Sequence, residues 1–345
     1  MSNLKCTNMR RYWIGVDVSQ KSLDVALLQG NGRVEVQFQI ANKAQAIRGL
    51  WRRLVKTYGL SPEDTLVCLE ATGHHSNLPV LTFLEMKVPT WIAHPAHIMK
   101  STSPIRGKDD KVDAMRIAIY ARRYDDRARL VTEAFRRTLR LKQMITERRN
   151  LVRRKGSLDA RLKDTARYCN DEDRSNCMRR AKAEIELLKK HIKELDQVIK
   201  ELIKADPELY TQYKLLQSID GVGDVLSAYL LTITEGFTRY NTPKELACHA
   251  GVAPFKHRSG TSIKGKTRVS KQACKGLKSI VHMAATSVIR LKGDLKDYYD
   301  RKVAEGKNKM TVLNAVRNKI IHRVCAVIAR GTPYIGRKTA KLAYT

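Results

Sequence analysis

Residues 12–19, YWIGVDVS, decide the fold expected of this chain. The apolar run predicts a short buried strand that delivers one carboxylate, Asp17, near its C-terminal end. A second apolar run covers residues 23–28, and Gly30-Asn31-Gly32 after it is typical of a hairpin turn. A third covers residues 34–40. This order predicts three antiparallel strands.

Helices and strands alternate after that point. Residues 42–58 predict a helix with Asn42 as N-cap and Gly59 as its left-handed stop. Residues 65–70, TLVCLE, predict a buried strand that ends on a second acid, Glu70. A helix near 78–86 and a strand near 88–93 continue the pattern. Three antiparallel strands followed by this alternation predict an RNase H-like α/β sheet, with Asp17 mid-sheet and facing a cleft.

A helix over residues 108–123, KDDKVDAMRIAIYARR, carries Asp109, Asp110 and Asp113 in its first turns. The helix dipole accounts for one of these acids but not for all three. Asp110 and Asp113 stand at i and i+3, so both lie on one helix face.

Four acids, Asp17, Glu70, Asp110 and Asp113, therefore come from three elements. Taken singly, each is typical of a solvated surface group. As a set they predict a site for Mg²⁺, with two ions and with Mn²⁺ as a substitute, because hard cations bind several oxygen ligands and two ions assist phosphodiester chemistry.

The charge of the chain indicates a polyanionic partner. There are 66 Lys and Arg against 34 Asp and Glu, a formal net charge of +32, which predicts salt-dependent binding of nucleic acid. A ribosomal-type protein or a merely soluble basic surface are the alternatives. The length and the 43% hydrophobic content predict two or three packed domains, not a disordered chain.

Seven scattered cysteines form no CxxC pair, which predicts reduced thiols, neither disulfides nor zinc ligands. No apolar leader or membrane-spanning run is present, so we expect a cytoplasmic, bacterial protein that acts at the nucleoid and has no membrane partner.

Residues 132–204 predict two long charged helices with a loop at 170–176. The second helix has a 3,4,3,4,3 apolar spacing, formed by Ile185, Leu188, Ile192, Leu195, Ile199 and Leu202. This stripe predicts either a parallel two-stranded coiled coil, which would make the protein a dimer or larger, or an antiparallel hairpin with the preceding helix.

The remaining chain predicts a mainly helical region. Gly221 and Gly223 lie in a turn between two apolar helical segments, as in a helix-hairpin-helix whose amides hold a DNA phosphate, although any tight helix-helix turn looks the same. Residues 247–271 predict a loop, and two or three amphipathic helices follow it. Ser259 in that loop is a candidate nucleophile that spacing alone does not separate from Ser262 and Ser270. His74 and His75 are candidate proton shuttles or phosphate contacts, or else solvated loop residues. His257, beside Ser259, is a stronger candidate than either.

Five motifs together resemble the DEDD transposases of the IS110 insertion-sequence family, which includes the Piv-type invertases. They are GVDVSQKSLDV, LEATG, KDDKVDA, SIDGVG and AGVAPFKHRSGTSIKGKTRVSK. The resemblance runs from about residue 12 to about residue 333. It implies a RuvC-like RNase H-fold domain at residues 1–130, a coiled-coil arm at 131–206 and a C-terminal transposase domain at 207–345. It places the four metal-binding acids on Asp17, Glu70, Asp110 and Asp113, and the nucleophile on Ser259. Asp109 matches no family position.

The same resemblance implies a DNA recombinase that is guided by a structured bridge RNA. Ser259 would attack donor or target double-stranded DNA and form a phosphoserine intermediate. The protein would act as a homo-oligomer, a dimer through the coiled coil and a tetramer, with the acids of one subunit meeting the serine of another. One departure is that the family usually has Gly after Ser270-Lys271, where this chain has Gln272-Ala273-Cys274.

Several residues follow as candidate nucleic-acid contacts: Arg106, Lys108, Gly221, Gly223, Lys256, Arg258, Lys264, Lys266, Arg268 and Lys271. Two other functions stay open on the sequence. One is a RuvC-like metal-dependent junction nuclease that uses water, and the other is a non-catalytic basic nucleic-acid-binding protein.

Overall fold

The computed structural model describes residues 10–71, 73–101, 110–168, 171–259, 263–269 and 273–335. The chain divides into two compact units, Met1–Arg136 and Arg137–Thr345. The finer division into three domains stays a prediction.

A five-stranded mixed sheet forms the centre of the first unit. Its strands are β1 (Tyr12–Val18), β2 (Ser22–Gln29), β3 (Val34–Ala41), β4 (Thr65–Glu70) and β5 (Thr90–Ala93). Their order is β3-β2-β1-β4-β5. The pairs β1–β2 and β2–β3 are antiparallel, whereas β1–β4 and β4–β5 are parallel. This is the strand order predicted for an RNase H-like sheet, and it places β1 in the middle.

Four helices complete this unit: α1 (Ala44–Tyr58), α2 (Asn77–Glu85), α3 (Pro95–Ser101) and α4 (Asp110–Arg123). The α1 helix buries Ile47, Leu50, Trp51 and Leu54, as its spacing predicts, and ends at Gly59 with φ 68°. The predicted N-cap is wrong. Lys43 is the residue before α1, and the Asn42 amide instead donates to the carbonyls of Ser19 (3.0 Å) and His75 (3.3 Å), which ties two loops together.

The second unit begins with a pair of long helices, α5 (Glu133–Tyr168, which starts in the first unit) and α6 (Asp171–Lys204). Arg148 pairs with Asp196 at 2.5 Å, and Arg154, further along α5, pairs with Glu184, which lies earlier on α6. The two helices therefore run antiparallel in one chain.

The apolar stripe of α6 has its partner within the chain. Ile185, Leu188 and Ile199 are buried, and Ile199 lies in one apolar cluster with Leu141 and Ile145 of α5. Of the two interpretations left open, the intrachain hairpin is the one that the structure contains. The predicted loop at 170–176 is too long, because residues 171–176 already belong to α6.

Six helices and a β-hairpin make up the rest of this unit. The helices are α7 (Pro207–Gln217), α8 (Asp224–Ile233), α9 (Pro243–His249), α10 (Lys275–Val288), α11 (Asp294–Ala304) and α12 (Lys309–Arg330), and the strands are β6 (Pro254–Ser259) and β7 (Ile263–Val269). The loop predicted over residues 247–271 is therefore wrong for most of its length. Paired strands satisfy their backbone groups through each other, so a two-stranded ribbon needs no regular apolar pattern that a sequence would reveal.

No described helix combines the length and the apolar character that crossing a membrane requires.

Candidate metal site and serine hairpin

Asp17 lies near the C-terminal end of the central strand and is half-buried. Its Oδ1 accepts a hydrogen bond from the Val18 backbone amide at 2.9 Å. Side chains alternate along a strand, so Asp17 projects to the same side of the sheet as Trp13 and Gly15. That side is the one on which Trp13 packs with Ile117 and Ala118 of α4.

Glu70 ends the neighbouring strand beside Asp17. The register of the parallel pair places Val16 opposite Leu69, so Asp17 and Glu70 are the next residues along the two strands. Neighbouring strands lie about 4.8 Å apart, and side chains at matched positions point to one face. The sheet therefore brings the first two predicted acids together.

Gly15 sets how closely α4 approaches β1. A Cβ at this position would lie 2.1 Å from the Ala114 carbonyl oxygen and 2.4 Å from the Ala118 amide nitrogen. Only glycine leaves room for the helix backbone at this distance. Asp17 follows two residues later on the same face, and Asp113 precedes Ala114, so the close contact brings the third acid to the end of β1.

The three carboxylates interact electrostatically. Burial raises the pKa of Glu70 above its usual range, and the negative charges of Asp17 and Asp113 raise it further. Asp113 also pairs with Arg116 at 2.8 Å, which offsets part of the negative charge. The predicted acids of β1, β4 and α4 therefore lie close enough together for their charges to interact.

The fourth acid, Asp110, is the first residue of α4, one turn before Asp113. Its side chain lies outside the described part of the chain. Among the described side chains, no three Asp, Glu, His or Cys residues are arranged as a complete metal site. The oxygen donors nonetheless suit a hard cation, because Glu70 carries the cost of two nearby negative charges that such a cation would offset.

A further acid that the sequence patterns did not single out lies beside Asp17 in the sheet. Asp24 of β2 pairs directly with Asp17 in the register, is only 3% exposed, and accepts a hydrogen bond from the Gln39 amide at 3.1 Å. Folding β1 onto β2 about the turn between them would have revealed it, since both acids occur in the stretch GVDVSQKSLDV.

Ser259 lies in the second unit, as the last residue of β6, paired with Ile263 of β7. Residues 260–262, Ser262 among them, lie outside the described residues, as does Ser270. Of the candidate basic contacts, Lys256, Arg258, Lys264, Lys266 and Arg268 lie on the two strands with undescribed side chains, as does His257. Arg106, Lys108 and Lys271 lie outside the described residues.

The turn with Gly221 and Gly223 connects α7 to α8, so the predicted pair of helices is confirmed. Packing explains one of its glycines, because Gly221 has φ 82° and a Cβ there would lie 2.9 Å from the Ala284 carbonyl oxygen. Asp224 begins α8 and pairs with Lys200 at 2.7 Å. A phosphate-binding role for this turn stays a prediction. His74 and His75 occupy a short 3₁₀ turn after β4, with ring centroids 3.9 Å apart.

The described cysteines are free thiols, as predicted: Cys68, Cys177, Cys248, Cys274 and Cys325. Cys274 differs from the others. Burial raises the pKa of its thiol, but hydrogen bonds from His249, the Leu277 amide and the Tyr229 hydroxyl outweigh burial and bring the pKa to about 6. Cys274 is the N-cap of α10, at the position where the sequence departs from the family pattern.

A five-stranded mixed sheet with helices, in which acids lie at the ends of the central strand and of its parallel neighbour, is the α/β arrangement expected of an RNase H-like domain. Comparison with known families gives the particular one. A transposase model of the DEDD, IS110 type matches residues 14–170, and the model described as "Transposase IS116/IS110/IS902 family" matches residues 213–300. The chain belongs to the IS110 family of transposases, which are DNA-recombining enzymes.

Individual relatives agree with this membership. The chain is 24% identical to the pilin gene-inverting protein of Moraxella lacunata over 94% of this chain and 98% of that protein. It is 31% identical, over 40% of this chain and 34% of the relative, to the insertion element IS110 43.6 kDa protein of Streptomyces coelicolor. T. thermophilus RuvC, solved in complex with a Holliday junction substrate, aligns with a TM-score of 0.29 and 10% identity over 35% of this chain and 100% of that chain. A TM-score of this size does not establish a shared fold.

Proposed function

We propose that this transposase cuts and exchanges DNA strands through a phosphoserine intermediate on Ser259, with Asp17, Glu70, Asp110 and Asp113 as ligands of Mg²⁺. The observation that carries the proposal is the sheet register that sets Asp17 beside Glu70, whose pKa is raised by burial and then by Asp17 and Asp113. A carboxylate perturbed by burial and by acids from two other elements is typical of functional sites.

The acids fit a site for Mg²⁺ or Mn²⁺. They offer only oxygen donors, and each pair repels at neutral pH, so the protein alone gains nothing from bringing them together. When bound, the ions would polarise the phosphodiester and stabilise the oxygen that leaves it. The role of the chain is to hold the carboxylates: the sheet register fixes Asp17 beside Glu70, and Gly15 admits α4 with Asp113.

The serine step conserves the energy of the phosphodiester. The Ser259 oxygen forms a bond to phosphorus, the bond from phosphorus to a deoxyribose oxygen breaks, and the proton of the serine hydroxyl leaves to a base or to water. Attack by a second deoxyribose oxygen would release Ser259 and rejoin the strands. No external energy source is needed, because one ester replaces another at each step.

We propose that the partners are donor and target double-stranded DNA and a structured guide RNA of the bridge type. The charge of +32 supports a polyanionic partner. The full-length similarity to a protein named for inverting a pilin gene supports recombination of DNA. We also propose a homo-oligomer.

The test is formation of a covalent bond between protein and DNA. Full-length protein, guide RNA, DNA and Mg²⁺ are incubated and denatured, and DNA attached to protein is measured. We expect an adduct in wild type and in Ser262→Ala, none in Ser259→Ala, and none in Asp17→Ala. Asp126→Ala, a surface carboxylate, is the control for Asp17.

Cutting without an adduct, unchanged in Ser259→Ala, would replace the proposal by a water-using nuclease. Activity that survives both Ser259→Ala and Asp17→Ala and ignores Mg²⁺ would leave only a nucleic-acid-binding protein.

A further inference from the structure

A charged side chain lies buried in the second unit with no carboxylate partner among the described residues. Arg317 of α12 is 6% exposed. Its guanidinium contacts His282 Nδ1 of α10 at 2.6 Å and Asn314 Oδ1 at 3.5 Å, and its Nε has no hydrogen-bond partner. No Asp or Glu in the described parts of the chain forms an ion pair with it.

This arrangement is costly for the protein alone. Arginine keeps its proton at neutral pH, and a buried cation without an opposite charge costs several kcal/mol, on the order of the penalty for breaking a buried ion pair. Burial also lowers the pKa of Arg317. A neutral residue of similar length would avoid this cost, so the fold does not explain the arginine.

The groups that Arg317 and His282 can offer to a ligand are donors. Guanidinium nitrogens only donate, so Nδ1 of His282 accepts from Arg317 and its proton sits on Nε2. Burial and the adjacent Arg317 lower the pKa of His282, which keeps the ring neutral. The pair therefore presents the guanidinium charge and an imidazole N–H, the groups that bind a phosphate oxygen. His282 is partly exposed, so the pair reaches the surface on its side.

The pair lies beside the base of the hairpin that carries Ser259. Asn314, one turn before Arg317, donates from Nδ2 to the Val252 carbonyl at 3.0 Å, two residues ahead of β6. After β7, the Cys274 amide donates to the His249 carbonyl at 2.8 Å, which closes the other end of the segment. A phosphate held by Arg317 would therefore lie next to the segment that positions the candidate nucleophile.

We propose that Arg317, together with His282, binds a phosphodiester group of the nucleic acid at the base of the β6–β7 hairpin. The inference rests on the proposed function only in taking DNA or RNA as the source of the phosphate. Arg317 is the charged contact, and His282 fixes the guanidinium and adds a second donor.

The experiment measures how binding depends on salt and is independent of cutting. Full-length protein binds a labelled DNA duplex and, separately, a labelled RNA hairpin at several KCl concentrations. One lost phosphate contact reduces the slope of log K against log salt by about 0.9 for duplex DNA. We expect this reduction for Arg317→Gln with at least one of the two nucleic acids, together with a loss of affinity of about tenfold or more. The nucleic acid whose slope changes is the one that supplies the phosphate. The binding measurement requires no cutting, so a failed adduct assay does not affect this test.

Arg323→Gln is the matched control. Arg323 lies on the same helix with a partly buried side chain, 18% exposed, but it pairs with Asp294. Its loss should lower the melting temperature of the free protein and leave the salt slope unchanged. Arg317→Gln should show the reverse, with an unchanged or raised melting temperature, because it removes an unpaired buried charge.

Other outcomes would overturn the inference. A lower melting temperature for Arg317→Gln with an unchanged slope for both nucleic acids would make Arg317 a structural residue. If inorganic phosphate stabilises wild type more than Arg317→Gln while the slope stays the same, the site takes free phosphate instead. If Arg317→Gln fails to fold, Arg317→Lys is tested instead. This variant retains the charge, so we expect it to keep the salt slope and to reduce the affinity two- to tenfold. Wild-type affinity would contradict the specific role of the guanidinium.

Discussion

At the scale of single residues, the site depends on one glycine as much as on its acids. The acids could be predicted from the sequence because they end apolar strands or share a helix face, as Asp17 and Glu70 do. Gly15 gave no such signal. Its importance comes from the α4 backbone, which lies across it and is remote in sequence, and only the assembled unit shows that contact.

Replacing Gly15 with alanine should disrupt this unit. The added Cβ would meet backbone atoms of Ala114 and Ala118 at 2.1 and 2.4 Å, and backbone cannot move aside as a flexible side chain can. We expect Gly15→Ala to lower the free energy of unfolding by about 3 kcal/mol, measured by urea titration. Gly49→Ala is the control. Gly49 lies in α1 with nothing within 4 Å of the added Cβ, so this substitution should raise the free energy of unfolding by about 0.5–1 kcal/mol. Equal stability of the two variants would contradict the close approach.

Glu70→Gln should stabilise the metal-free protein at neutral pH. Because the folded-state pKa of Glu70 is raised, its contribution to stability is present below the unfolded-state pKa, about 4.3, and is lost as pH rises through the folded value. Glutamine cannot ionise and avoids that loss. In EDTA the variant should melt above wild type at pH 7, and the difference should shrink toward pH 4. A variant that melts below wild type at pH 7 would show that the ionised Glu70 is not destabilised by burial and by the neighbouring carboxylates.

At the scale of elements, sequence patterns predicted the helices and strands themselves better than they predicted which elements pack or pair with each other. The five strands of the first sheet occur where the apolar runs predicted them. The stripe of α6 was equally compatible with two partners, because a 3,4 spacing states only that one face is buried. The β6–β7 hairpin was missed, since residues such as Lys264 and Lys266 form no apolar face that would predict a strand.

The arm offers a paired test of its internal packing. Leu188 is 3% exposed and its neighbour Leu187 is 52% exposed. We expect Leu188→Ala to lower the free energy of unfolding by about 2–4 kcal/mol and Leu187→Ala to change it by less than about 0.5 kcal/mol. For an intrachain hairpin, the loss in Leu188→Ala should not depend on protein concentration. A loss that disappears on dilution would instead place Leu188 between subunits.

At the scale of the whole molecule, family membership could be predicted from short motifs spread over nearly the entire chain. The described parts of these motifs lie at strand ends: Asp17 near the end of β1, Glu70 at the end of β4 and Ser259 at the end of β6. Such positions combine backbone and chemical requirements, so they identify a family at 24% overall identity. Arg317 lies in an ordinary apolar helix pattern, and its lack of a counter-charge becomes visible only in the packed fold.

The central claim is that carboxylates from β1, β4 and α4 form one site for divalent metal. Mn²⁺ binding to the full-length protein, followed by electron paramagnetic resonance of the free ion, tests it directly. We expect wild type and the surface control Asp126→Asn to bind Mn²⁺ alike, and Asp17→Asn, Glu70→Gln and Asp113→Asn each to weaken binding by at least about tenfold. Wild-type binding in all three variants would contradict the claim.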